Sequence, residues 1–212
     1  MKIIVVSPEK ELLEEHGLVQ EMFRLGLQVY HVRKPKYSTE KLRSYLEKFD
    51  KRFRDRLVIH THHELAIPYK LKGVHLTERH RKKLKFKSWI TMQWVRYRRP
   101  DIQVSTSFHV IQSILKNYNP KYRYVFLNPI FDSISKIGYK STFNEHSLRD
   151  ALQKTKYKVI AMGGVTHDNI DKVADMGFAG FSLAGTLWLH DNPVGEFKRI
   201  TEKCKELDIT FS

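Results

Sequence analysis

"YKVIAMGGVTHDNIDKVADMGFAGFSLAG", residues 157–185, decides the fold. Two short apolar runs, "YKVIAMGG" (157–164) and "GFAGFSLAG" (177–185), flank "VTHDNIDKVADM", which reads as a helix capped around Thr166 to Asp168. A further run, "KIIVVS" (2–7), is apolar throughout rather than alternating, as in a strand covered on both faces. The two quoted runs each end in small residues just before a helix: Gly163 and Gly164 in the first, Ala184 and Gly185 in the second. Glycine there lets backbone N–H groups approach an anion, and the helix N-terminus adds partial positive charge. A tight turn would explain one such loop, but two adjacent ones point to a phosphate. In a (β/α)8 barrel the loops after the seventh and eighth strands are the usual phosphate site.

Working outward, six further β-like runs precede these two: 2–7, 27–33, 56–61, 73–76, 102–107 and 122–131. Helical stretches alternate with them. Residues 7–26 predict a helix with Ser7 as N-cap, Pro8 at its first position and Gly26 as terminator. Others are predicted over 38–53, after the fifth run in "FHVIQSILKNY", and in "PVGEFKRITEKCKEL" near the C-terminus. No Gly/Ser/Pro-rich linker divides the chain. The expected class is α/β, a (β/α)8 TIM barrel forming a single domain over 1–212, with a doubly wound sheet as the competing architecture.

The 212 residues are 41% hydrophobic and 12% aromatic, which excludes general disorder. No apolar run approaches the roughly 20 residues of a membrane span. The N-terminus lacks the pattern of a signal peptide. A single cysteine, Cys204, excludes an intrachain disulfide, and a cytoplasmic protein with no membrane partner is expected. The net charge of +15 points to an anionic partner. "ERHRKKLKFKSWITMQWVRYRRPD" (78–101) interleaves Lys and Arg with aromatic residues. It reads as a basic, solvated helix and loop, with a nucleic-acid surface as the lesser alternative. The Trp89 and Trp94 pair reads as core or interface packing.

Three motifs sit at predicted strand ends. "NPIFDSISKIGYK" (128–140) offers Ser133, Ser135 and Lys136, hydroxyls and a cation suited to a phosphate or pyrophosphate leaving group. "HVRKPKYS" adds Arg33, Lys34 and Lys36. "RLVIHTHHELA" (56–66) ends in clustered histidines; His60 and His62, with His75 or His80, could hold zinc as in a metal-dependent hydrolase.

In order along the chain, "HVRKP", "IHTHHELA", "GVHLTERH", "VSTS", "NPIFDSISK" and "AMGGV" resemble the thiamine-phosphate synthase (thiamine-phosphate pyrophosphorylase) and thiazole tautomerase family. The resemblance implies transfer of a hydroxymethylpyrimidine from its pyrophosphate to thiazole phosphate, giving thiamine phosphate and pyrophosphate. It implies catalytic roles for Arg33, Ser105 and Lys136 around the departing pyrophosphate. Ser133, Ser135, Gly163, Gly164, Ala184 and Gly185 would bind the thiazole phosphate, and His31, Lys36 and His60 would line the substrate site. The family's magnesium is implied too, but its two aspartate positions are Thr61 and His80 here, and its asparagine and glutamine are His60 and His31. Lys34, Lys36, His60, His62 and His80 could instead neutralise pyrophosphate as cations. At the tautomerase's catalytic histidine position stands Pro129. Phosphorylated small molecules are the expected partners, with homodimerisation open. A family member binding another phosphorylated ligand without turnover is the alternative reading, ahead of a histidine-ligated hydrolase or a nucleic-acid-binding barrel.

Overall fold

The structure, a computed structural model, describes residues 1–83, 85–116, 118–132 and 143–209, without the side chain of Lys85. Eight strands follow chain order around a closed parallel barrel. They are β1 (Lys2–Val6), β2 (Val29–Val32), β3 (Leu57–Ile59), β4 (Gly73–Leu76), β5 (Gln103–Phe108), β6 (Tyr124–Leu127), β7 (Val159–Met162) and β8 (Gly180–Leu183). Among the described residues the helices are α1 (Glu15–Arg24), α2 (Thr39–Glu47), α3 (Glu78–Lys82), α4 (Lys85–Arg98), α5 (Ile111–Lys116), α6 (Glu145–Lys154), α7 (Ile170–Asp175), α8 (Gly185–Trp188) and α9 (Pro193–Glu206). This is the (β/α)8 architecture expected, and the doubly wound alternative is set aside. No helix among the described residues is long and apolar enough to cross a membrane.

The chain forms two compact units, Val6–Thr106 and Met1–Val5 with Ser107–Ser212. In the first, β2 to β5 pair in parallel with a continuous register: Val32 faces Ile59, Ile59 faces Val74, and His75 faces Ser105. Helix α2 starts where Ser38 accepts a hydrogen bond from the Lys41 amide, and it buries Leu42, Tyr45 and Leu46. Helix α1 departs from expectation by beginning at Glu15 rather than beside Ser7. The Ser7 hydroxyl accepts from the Arg33 amide (2.8 Å), and the Ser7 amide donates to the His31 carbonyl (2.9 Å). The carbonyls of Pro8 and Lys10 accept from the Lys34 ammonium. Groups that would cap and build a first turn are thus bound by residues in and just after β2. Gly26 does end α1, with φ of 105°.

In the second unit, β1 pairs with β8 and β8 with β7, with Ile3 facing Phe181 and Ile160 facing Gly180. Strand approach is close at Gly180: a Cβ there would lie 2.3 Å from the Lys2 carbonyl oxygen. Helix α9 opens with Pro193 after the Asn192 cap and buries Val194, Phe197, Ile200 and Cys204 on one face.

The basic segment forms α3 and α4. Its tryptophans are not core: Trp89 is 58% and Trp94 48% exposed. Buried contacts of α4 come from Met92 and Val95 instead.

Candidate functional site

In the first unit, His31, His60 and His75 come together. The register brings His60 at the end of β3 abreast of His75 in β4, and adjacent β2 carries His31. His31 Nδ1 and His60 Nε2 are 2.9 Å apart, and the rings of His60 and His75 stack with centroids 4.2 Å apart. His75 Nδ1 meets the Ser105 hydroxyl at 2.9 Å. All four residues are buried. Burial disfavours imidazolium, so it lowers His31 to about 3 and holds His60 and His75 well below the ordinary value; the neighbouring histidines add to the effect for the latter two. These rings are therefore neutral near pH 7. The cationic His60 expected from the sequence gives way to a neutral, hydrogen-bonded ring.

His62 does not join this cluster. Strand β3 ends at Ile59, and His62 adopts a left-handed conformation (φ 51°) that breaks the alternation of faces. Its ring bonds the Thr39 hydroxyl and the Tyr37 carbonyl, both at 2.9 Å. His63 is buried and lowered to about 4, chiefly by burial. His80 caps α3, its Nδ1 2.8 Å from the Thr77 hydroxyl. Thr61 is half-buried.

Lys34 belongs to the interior rather than to a cationic rim. Its ammonium lies 2.7 Å from Glu15 Oε2, with both side chains 0% exposed. The Tyr30 hydroxyl donates to Glu15 Oε1 at 2.7 Å, and that of Tyr45 donates to the same oxygen. Burial, and then the adjacent acid and phenol, raise both tyrosines well above their usual range. Nothing in the residue pattern marked this network, because Lys34 stands between Arg33 and Lys36 in a run of cations. Of those, Lys36 is exposed, and Arg33 is half-exposed and paired with Glu9.

In the second unit, Gly163 and Gly164 end β7 with φ of 94° and 66°. A Cβ on Gly163 would lie 3.0 Å from Pro129, and one on Gly164 2.3 Å from the Asp132 carbonyl oxygen and 2.7 Å from Phe131 Cβ. The Phe131 amide donates to the Gly163 carbonyl (3.1 Å). The glycine turn therefore seats the start of the loop after β6. The next loop is tied to it as well, since the Thr186 hydroxyl donates to the Val165 carbonyl. Ala184 and Gly185 are half-buried at the start of α8. Ser133, Ser135 and Lys136 lie outside the described residues.

A magnesium ion takes oxygen ligands, usually carboxylates, phosphate and water. The clustered donors here are imidazole nitrogens, and the buried carboxylate of the same unit, Glu15, is committed to Lys34 and two tyrosines. The donor set does not fit magnesium.

Residues 3–187 match the family model described as thiamine monophosphate synthase. The thiamine-phosphate synthase of Limosilactobacillus fermentum is 30% identical over 79 residues, 37% of this chain and 37% of that protein. That of Salinibacter ruber is 33% identical over 70 residues, 33% and 31% of the two chains. The matched stretch thus spans about a third of each curated relative's length. The crystal structure of thiamine phosphate pyrophosphorylase from Bacteroides thetaiotaomicron superposes with a TM-score of 0.73 at 25% identity, covering 97% of this chain and 98% of that one. With the eight-stranded barrel, the glycine turn after β7 and a family match over most of its length, the chain belongs to the thiamine monophosphate synthase family.

Proposed function

We propose that the chain acts as a thiamine-phosphate synthase-like transferase built as one barrel domain. It would join hydroxymethylpyrimidine pyrophosphate to thiazole phosphate, releasing pyrophosphate. The observation that carries this reading is the contact between two motif segments: Gly163 and Gly164 pack on Pro129, Phe131 and Asp132, from which the chain runs directly into Ser133, Ser135 and Lys136. Hydroxyls and a cation leading off a glycine turn suit a phosphate dianion.

In this reading pyrophosphate departs from the pyrimidine methylene carbon, and the thiazole nitrogen forms the new C–N bond. The protein's contribution is positioning and charge stabilisation, with no covalent enzyme intermediate. Arg33, released from Glu9, and exposed Lys36 would meet pyrophosphate oxygens, as would Lys136. Ser105, whose hydroxyl is held by His75, would donate to the leaving group, with His31 and His60 as neutral hydrogen-bonding groups of the substrate site. Gly163, Gly164, Ala184 and Gly185 would present backbone amides to the thiazole phosphate, beside Ser133 and Ser135. Thr61 and His80 stand in place of carboxylates that hold magnesium in the family, so no step is assigned to that ion.

The test is turnover of both phosphorylated precursors by the purified chain, with and without magnesium, read as thiamine phosphate after oxidation to its fluorescent thiochrome. Product in either arm supports the proposal; absence from both removes it in favour of a non-synthase phosphate-binding protein.

A further inference from the structure

We propose that His31, His60 and His75 form a binding site for a divalent transition metal of the zinc type. Each offers one ring nitrogen, and the three lie within 4.8 Å of one another, all buried. Three imidazole nitrogens are a donor set for zinc, cobalt, nickel or copper, and a poor one for magnesium or calcium. His31 and His60 also stand in the proposed substrate site, but the metal proposal rests on the geometry of this cluster and not on turnover.

The geometry is near to closure without being closed. Ligands about 2.0–2.1 Å from a tetrahedral zinc are separated by roughly 3.3 Å from each other. His31 Nδ1 and His60 Nε2, at 2.9 Å, need only part by a few tenths of an ångström. In the hydrogen bond between these neutral rings one nitrogen carries the hydrogen, so metal entry requires a tautomer change at one ring. His75 must tilt out of its stack on His60 to bring its nitrogen to the same point. Its Nδ1 lies 2.9 Å from the Ser105 hydroxyl, and ligation through Nε2 would keep that contact. An outer hydrogen bond of this kind fixes the tautomer and aim of a ligating histidine. His31 and His75 sit within β2 and β4, and His60 directly follows β3 with its amide donating to the Val32 carbonyl (3.2 Å), so the backbone frame is held while the rings adjust.

Three histidines leave the fourth tetrahedral position to an oxygen. The rival explanation is a neutral, hydrogen-bonded histidine core with no metal.

The experiment uses the full chain, stripped with a chelator, loaded with zinc and desalted. One tightly held zinc per chain is expected, retained against a large excess of magnesium. Cobalt should give the intense visible bands of four-coordinate geometry, without thiolate charge transfer. His60→Asn and His31→Gln should each lose binding, Ser105→Ala should weaken it by roughly 10–100-fold, and His62→Asn should keep it. Circular dichroism establishes that each variant is folded; should a variant unfold, the wild-type cobalt spectrum still decides. No retained zinc, a six-coordinate cobalt spectrum, or unchanged binding in folded His60→Asn overturns the proposal.

Discussion

Replacing Lys34 by Met should strip more stability from this protein than any loss of a surface cation could. The Lys34 ammonium lies 2.7 Å from Glu15, and both side chains are fully buried. The substitution leaves a carboxylate in the interior facing the hydroxyls of Tyr30 and Tyr45 and the Leu12 amide, with no cation paired to it. It also removes the donor to the Pro8 and Lys10 carbonyls, at 2.8 and 3.1 Å. Removing one member of a buried pair costs about 3–5 kcal/mol, a large part of the roughly 5–15 kcal/mol that holds a domain together. The pair itself contributes less than that cost, since both ions were desolvated on folding. The double variant Lys34→Met with Glu15→Leu should therefore recover about 2 kcal/mol or more of the sum of the single losses. Urea unfolding of wild type, both single variants and the double variant measures the coupling. A loss below about 1 kcal/mol in Lys34→Met, or additive single effects, would refute the reasoning and return Lys34 to the ligand-facing cations.

Other perturbations separate the roles of particular residues. Gly164→Ala places a Cβ 2.3 Å from a backbone oxygen at φ of 66° and should destabilise by about 2 kcal/mol or more. Gly17→Ala, inside α1 with nothing within 4 Å of its Cβ, should gain up to about 1 kcal/mol. Thermal melts of the two variants should shift in opposite directions. Ser38→Ala removes the N-cap of α2 and should cost about 1 kcal/mol in the same assay. Burial pushes the Cys204 thiol up to about 11, so a thiol reagent at pH 8 should label it only after unfolding. A thiol whose folded pKa is raised contributes stability that is fully present below its unfolded pKa. That contribution declines as pH rises from there through about 11.

Much of the barrel is legible in the sequence because parallel strands buried on both faces are apolar throughout and end in small residues. "KIIVVS" was read by the first part of that rule and the two glycine-bearing runs by the second, and Gly26, Ser38 and Pro193 marked helix ends through their own backbone chemistry. The start of α1 was not legible, because Ser7 and Pro8 carry a proper helix-start pattern whose polar groups are taken by β2 and Lys34. The exposed Trp89 and Trp94 show the same limit from the other side: residue type did not reveal which face of α4 turns inward.

At the histidine stretch the division is sharpest. By itself the sequence determined that imidazoles stand at the end of the third strand. Only the tertiary structure decided which imidazoles meet. His62, two residues from His60, turns away through a left-handed backbone, while His31 and His75 arrive from neighbouring strands. It also decided that Lys34 is interior and the clustered rings neutral. Charge and ligand capacity depend on burial and on partners distant in sequence, and those are properties of strand register rather than of residue order.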